Sequence, residues 1–185
     1  FFGVVLRYHL KLYDLPKAIT SSVYYYHHDD VVKVAEWLQT VAPQLSNKVE
    51  LSLFVVKAPA ELKEQAKNTG GVVAMVTGTM FANTADEGKA ALALLDTCPV
   101  IGKCLKKSVN EPMTFEQLFD ASGALWPAGL RSRVDAMFSD ASPATIFSAL
   151  KEHNEHFPSD TTVFMFAIFT GKNVPAPLLT DAAFS

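Results

Sequence analysis

The sequence contains few charged residues. Asp, Glu, Lys and Arg make up 19% of its 185 residues, whereas about 25% is usual in soluble domains. Its 16 basic and 19 acidic residues nearly balance, leaving a net charge of −3, and the basic residues form no large cluster. This composition argues against a nucleic-acid-binding surface. A scarcity of charge is also what a domain shows when one of its faces rests on a partner.

Cysteine and long apolar runs are scarce as well. Cys98 and Cys104 are too few for a disulfide framework and lack zinc-finger spacing, and we expect no metal site. The longest charge-free run, residues 68–85, is rich in Asn, Thr and Gly, whereas a membrane span needs about 20 apolar residues. We therefore expect no contact with a membrane.

Apolar residues are nevertheless abundant enough for a folded core. They make up 49% of the chain, which excludes intrinsic disorder, and the length suits one domain of roughly 100–200 residues. Apolar alternation and β-branched runs predict about seven strands, at residues 4–13, 19–27, 49–57, 72–81, 103–109, 129–138 and 161–170. Helical spacing and capping residues predict three main helices, at residues 29–40, 84–95 and 142–157.

The order of these elements indicates the fold class. Strand-to-strand and strand-to-helix connections are mixed, which favours an α+β fold with a mostly antiparallel sheet and helices packed on one face. The other face of that sheet would then need a cover. Because residues 163–169 are all apolar, we expect this strand to be central, or to be covered by a part that this chain lacks.

A group of polar residues near the predicted sixth strand is the candidate substrate site. Three of them are spaced by two and would share one face of that strand, and a glutamine precedes them in a predicted short helix. The set is Gln117, Arg131, Arg133 and Asp135. The strand could present these side chains either at an exposed edge or in a substrate pocket, and the residues alone leave both interpretations open.

Three stretches, in this order, resemble the FAD-linked oxidases of the vanillyl-alcohol-oxidase and berberine-bridge (PCMH) type. The first is Phe-Gly-Val-Val at residues 2–5, followed by an alternating strand and Leu-Pro. The second is Phe-Glu-Gln-Leu-Phe-Asp at residues 115–120, with Pro-Ala-Gly at 127–129. The third lies in residues 169–184, with Val-Pro and then Thr-Asp-Ala-Ala-Phe. The likeness spans essentially the whole chain through short motifs.

This resemblance implies a two-part organisation. Residues 1–14 would be a strand leading out of an FAD-binding domain that this chain lacks, and residues 15–185 would be the substrate-binding (cap) domain. In the family that domain is an antiparallel sheet with helices on one face, and the other face roofs the flavin. The parent enzyme would oxidise a small alcohol, sugar or amine by hydride transfer to FAD, with dioxygen as the usual acceptor, while this chain alone would be inactive.

The resemblance also assigns roles to individual residues. Gln117, Arg131, Arg133 and Asp135 would contact the substrate, and the segment that approaches the flavin would be Phe2, Gly3 and Val4. Asp135 stands where relatives often have Lys, and residues 163–169 lack the acidic residue or His that some relatives use as a base. No catalytic residue is therefore assigned.

A second hypothesis requires no cofactor. The chain could be a free-standing α+β binding or dimerisation module that pairs its open sheet face with another copy of itself. The low charge and the apolar last strand agree with this hypothesis too.

Overall fold

The structure, a computed structural model, describes residues 6–10, 12, 14–136 and 139–171. Within these residues the chain is an α+β domain with one antiparallel sheet of five strands in the order β4-β1-β3-β2-β5. The strands are β1 Ala18–His27, β2 Val49–Lys57, β3 Val72–Ala82, β4 Lys106–Met113 and β5 Val163–Ile168. The helices are α1 Val31–Val41, α2 Lys63–Ala66, α3 Ala85–Leu92, α4 Phe115–Leu125 and α5 Pro143–Asn154.

Three helices cover one side of the sheet, which we call the helical face. The helices α1, α3 and α5 pack their apolar side chains onto alternate residues of the central strands, so that the apolar surfaces of both layers are removed from water. Fully buried members of this core include Tyr24, Leu38, Leu53, Val76, Leu92 and Phe147. This core attaches the three helices to one side of the sheet.

The helix α3 approaches the sheet closely at Gly88. A Cβ atom at Gly88 would overlap the side chain of Thr20 on β1, so glycine is required by the packing. Gly88→Ala should lower the free energy of unfolding by about 1 kcal/mol and by no more than about 2 kcal/mol, because the overlap costs about 1–3 kcal/mol and the gain in helix propensity returns about 1 kcal/mol. Urea unfolding followed by Trp37 fluorescence measures this change.

The matched control is Gly123→Ala in α4, where a Cβ atom would meet no neighbour within 4 Å. That variant should keep or slightly raise the stability, since alanine is the better helix former. Equal losses of stability in the two variants would contradict the close approach at Gly88.

The sequence predicted about seven strands, and two of them are not formed in the described residues. The described parts of 4–13 and 129–138 have no strand structure, and Leu6 is 91% exposed instead of buried. An alternating segment becomes a strand only when a neighbouring strand pairs with its backbone. No described strand lies alongside either segment.

The placement of the last strand and of two helices also corrects the predictions. β5 is an edge strand, paired only with β2 among the described strands, and not a central one. Helices were predicted on one face, which is correct for α1, α3 and α5. The short α2 and the helix α4, however, lie on the opposite side, where Ala66 and Leu125 pack against strand residues.

Candidate functional site

The side of the sheet opposite the helical face, which we call the open face, is the candidate functional site. One end of it is apolar and covered by the connection from β2 to β3, which includes α2. That connection contributes Ala58, Leu62 and Ala66, and the strands contribute Phe54, Val56, Val73 and Met75. This end is largely covered, so the groups available to a ligand lie in a cleft at its margin and further along the strands.

Hydroxyl side chains occupy the middle of the open face. Ser21 of β1 is paired with Thr79 of β3, and their side-chain oxygens are 3.3 Å apart. Thr77 is paired with Ser52 of β2 in the next row. We call Ser21, Ser52, Thr77 and Thr79 the hydroxyl row. Each hydroxyl can donate and accept a hydrogen bond. Ser21, Ser52 and Thr79 are buried within the chain and Thr77 is half-buried, so Thr77 is the member of the row that a polar ligand can reach.

The helix α4 crosses the open face and touches it at both ends. The ring of Phe115 stacks on Phe81 of β3 with their centroids 6.2 Å apart, and Leu125 packs against the apolar end. No residue of α4 is buried. The helix is therefore attached to the sheet by few contacts.

A cleft of about 230 Å³ opens between the end of α4, the apolar end of the sheet and the loop before β5. Its polar lining comes from Tyr25, Lys57, Asp160, Thr161 and Thr162. Hydroxyl, ammonium and carboxylate groups around an apolar floor are the usual lining of a small-molecule site. The cleft could hold a small ligand that is apolar on one side and hydroxylated on the other.

The electrostatics of this cleft are set mainly by burial. Burial raises the pKa of the Tyr25 phenol, although the nearby Lys106 ammonium opposes the shift. Lys106 is bound to Glu61 at 2.6 Å, a contact that ties β4 to the connection covering the apolar end. Tyr25 is therefore a neutral hydrogen-bonding group here and not a base.

The structure gives Gln117 a local role. Its Oε1 accepts a hydrogen bond from the backbone N–H of Thr114 at 2.8 Å, and the hydroxyl of Thr114 accepts one from the N–H of Gln117 at 3.2 Å. This reciprocal pair is a capping box, which satisfies free donors at the start of α4. Gln117 is exposed, and it does not line the cleft.

The other predicted site residues are not brought into the cleft either. Arg131, Arg133 and Asp135 are exposed in a segment without strand structure, so the expectation that they share one strand face does not hold there. The Oδ1 of Asp135 accepts a hydrogen bond from the N–H of Ala136. The predicted flavin-approach residues Phe2, Gly3 and Val4 lie outside the described residues.

The hydroxyl row was not predicted, although part of its signal is present in the sequence. Thr77 and Thr79 are spaced by two within an apolar strand, which places both on one face. Ser21 and Ser52 join them only through strand pairing. That pairing is a tertiary property, and the local spacing does not contain it.

A second polar group lies at the far end of β1, beneath α5. His28 is fully buried, its Nδ1 is 3.8 Å from the Glu155 carboxylate, and neither ring nitrogen has a hydrogen-bond partner in the described part of the chain. At the surface nearby, Lys151 binds Asp29 at 2.7 Å. Burial lowers the pKa of His28, Lys151 lowers it further, and Glu155 and Asp29 oppose this shift.

We expect this buried histidine to make the fold sensitive to mild acid. Because the pKa of His28 is lower in the folded chain than its ordinary value of 6.5, the unfolded chain binds the proton more readily. The contribution of His28 is therefore complete above pH 6.5 and is lost as the pH falls from there towards the folded-state pKa. Urea unfolding at a series of pH values measures the slope.

The variant His28→Leu should remove that part of the slope, whereas His153→Gln, at an exposed position of α5, should retain it. If the unmodified chain and both variants lost stability in parallel between pH 7 and pH 5, a group other than His28 would be responsible for the pH dependence.

The described residues contain no group of three or more His, Cys, Asp or Glu side chains placed to hold a metal ion. None of the described helices is both long and apolar enough to cross a membrane.

Comparison with known proteins identified no relative. The chain matches no family model, no curated protein and no solved structure.

Proposed function

We propose that this chain is the substrate-binding domain of an FAD-dependent oxidoreductase and that its open face roofs the flavin. The observation that carries the proposal is the difference between the two sides of the sheet. The helical face is sealed by three helices, whereas the open face carries only the short α2 and the loosely attached α4, and a cleft and the half-buried Thr77 remain accessible there.

In this proposal the flat ring system of the flavin lies against the accessible part of the open face. There it would meet the half-buried Thr77 and Phe81, whereas Met75 and the rest of the hydroxyl row are already buried by the chain. When bound, FAD accepts a hydride from the carbon that bears the substrate's hydroxyl or amine and passes the electrons to dioxygen. This chain would contribute substrate contacts and exclude water.

Exposed apolar residues near the start of the described chain support a missing partner domain. Leu6, Tyr8, Leu10 and Leu12 alternate with polar residues and are all exposed. Such a row is favourable only when another layer covers it, because apolar surface in water costs free energy. An FAD-binding domain of the same parent chain would supply that layer.

The substrate would lie between the open face and the flavin. In this proposal the hydroxyl row orients a small alcohol, sugar or amine, and the cleft beside Tyr25 accepts the part of the substrate that does not react. Contacts from Gln117, Arg131, Arg133 and Asp135 remain predictions of the family resemblance. For Gln117 such a contact requires the capping box to open, since its Oε1 is already engaged.

The visible spectrum of the complete reading frame that contains this sequence tests the proposal. We expect flavin absorbance that is bleached by the right substrate and returns with dioxygen. The 185-residue chain alone should show no flavin absorbance. A purified full-length protein that binds no flavin would overturn the proposal.

A free-standing module that pairs its open face with a second copy is the alternative. It is favoured by the partial exposure of the face, where Met165 is 44% exposed. The variant Thr77→Arg separates the two functions, because a charge in the middle of the open face would abolish a face-to-face dimer of the isolated chain. Under the flavin proposal it should leave the oligomeric state of that chain unchanged.

A further inference from the structure

The two edges of the sheet differ in how they are protected against pairing. On β4 the outer edge includes Pro112, which has no N–H to donate, and Asn110, whose φ of 59° breaks the extended backbone. The pairing of β4 with β1 also shifts register between Ser21 and Val23. Proline, bulges and charges are the usual means of keeping an edge strand from adding another strand.

The edge strand β5 has none of these features. Residues 163–168 contain no proline, glycine or charged residue, and their pairing with β2 runs without a register shift from Val56↔Val163 to Leu51↔Ile168. A flat, apolar and uncharged edge is the type that recruits another strand.

Hydrogen bonds at the start of β2 show which backbone groups of β5 point outwards. The carbonyl of Lys48 accepts from the backbone N–H of Phe81 on the β3 side, and the carbonyl of Val49 accepts from the side-chain hydroxyl of Thr170 on the β5 side. The N–H and C=O groups of successive residues alternate in direction along a strand. Two residues directly opposite each other in an antiparallel pair therefore exchange either two backbone hydrogen bonds or none. Leu51 therefore bonds with Ile168, and the outward-pointing groups belong to Val163, Met165 and Ala167.

We propose that this outer edge of β5 pairs antiparallel with β5 of a second copy of the chain, forming a ten-stranded sheet. A two-fold axis normal to the sheet and passing beside Met165 sets Met165 opposite Met165 of the second copy and Val163 opposite Ala167 of the second copy. All of these residues have outward-pointing groups, so every opposed pair exchanges hydrogen bonds.

A second copy fits this edge because the pairing keeps like surfaces on the same side. Phe164 and Phe166 lie on the helical face against Phe147, and in the dimer they continue next to their own copies. No charge is brought near a like charge, since β5 carries none. Two-fold contacts of this self-complementary kind are the commonest in homo-oligomers.

This interface uses backbone groups at the outer edge of β5, so it does not depend on the flavin proposal. It lies away from the hydroxyl row on β1, β2 and β3, and of its residues Val163 alone also lines the cleft. A failure of the dimer would leave the flavin spectrum of the full-length protein unaffected, and the reverse also holds.

Sedimentation velocity of the 185-residue chain over a range of concentrations tests the proposal. We expect a reversible monomer–dimer equilibrium. Ala167→Pro removes an outward N–H and spares the bonds to β2, and it should raise the dimer dissociation constant at least about tenfold, because each dimer loses two hydrogen bonds. Ala167→Ser retains the N–H and should dimerise as the unmodified chain does.

Three other results would overturn the proposal. A chain that stays monomeric at every concentration, or an Ala167→Pro variant that dimerises normally, would overturn the proposal. So would Thr77→Arg if it weakened the dimer as much as Ala167→Pro, since the open face would then be the interface. If Ala167→Pro fails to fold, hydrogen exchange of the unmodified chain decides, because the amides of Met165 and Ala167 should become protected as concentration rises.

Discussion

Replacing Phe147 by alanine should remove about 3–5 kcal/mol from the free energy of unfolding. Phe147 is fully buried and is the only large apolar side chain of α5 that is buried in the core. Its ring meets Phe164 and Phe166 edge to face, at centroid distances of 5.4 and 5.7 Å. The total free energy of unfolding of a small domain is only about 5–15 kcal/mol, so this one truncation should remove a large part of the stability.

Urea unfolding followed by Trp37 fluorescence gives the free energy, and hydrogen exchange of α5 shows whether the helix detaches first. Phe119→Ala is the control, since Phe119 is 73% exposed on α4 and its loss should change the stability by no more than about 0.5 kcal/mol. A Phe147→Ala protein that unfolded like the control would mean that α5 does not rest on the sheet through this ring.

The central strands could be predicted because their signal is local and strong. Residues 19–27, 49–57 and 72–81 are runs of β-branched and aromatic residues, and the structure has β1, β2 and β3 there to within a residue or two. The α+β class followed from the order of the elements. It required no knowledge of which strands pair.

The edges of the sheet could not be predicted, because they depend on what lies beside each strand. Residues 4–13 alternate as well as any strand in the chain, yet the described ones have no strand structure. The apolar segment 163–169 was expected to be central or to be covered by a part that this chain lacks, and it lies at an edge. Phe164 and Phe166 face the helices and Val163 packs against the apolar end of the open face, whereas Met165 is 44% exposed.

Gln117 has a structural role that its local sequence already indicated. A Thr followed three residues later by Gln, ahead of an apolar stretch, is a capping-box sequence, and Thr114 and Gln117 form that box. The family resemblance instead assigned Gln117 to the substrate. The local stereochemistry of a helix start explains this residue without a ligand.

The hydroxyl row leads to the prediction with the largest expected effect on activity. Thr77→Arg in the full-length protein should lower kcat/KM by at least about a hundredfold, equivalent to about 2.7 kcal/mol of lost transition-state stabilisation. Thr77 lies in the middle of the open face, paired with Val23 on one side and Ser52 on the other. A guanidinium there would occupy the substrate's position and leave a charge without a partner, which is costly away from water.

The control places the same substitution on the opposite side of the molecule. Thr40 is exposed at the end of α1, so Thr40→Arg adds the same charge and bulk where no substrate is proposed. Stopped-flow reduction of the flavin by substrate, measured well below the melting temperature of either variant, should be slow in Thr77→Arg and unchanged in Thr40→Arg, while both proteins retain their flavin absorbance. Equal rates in the two variants would mean that the open face does not bind substrate, even if the parent proves to be a flavoprotein.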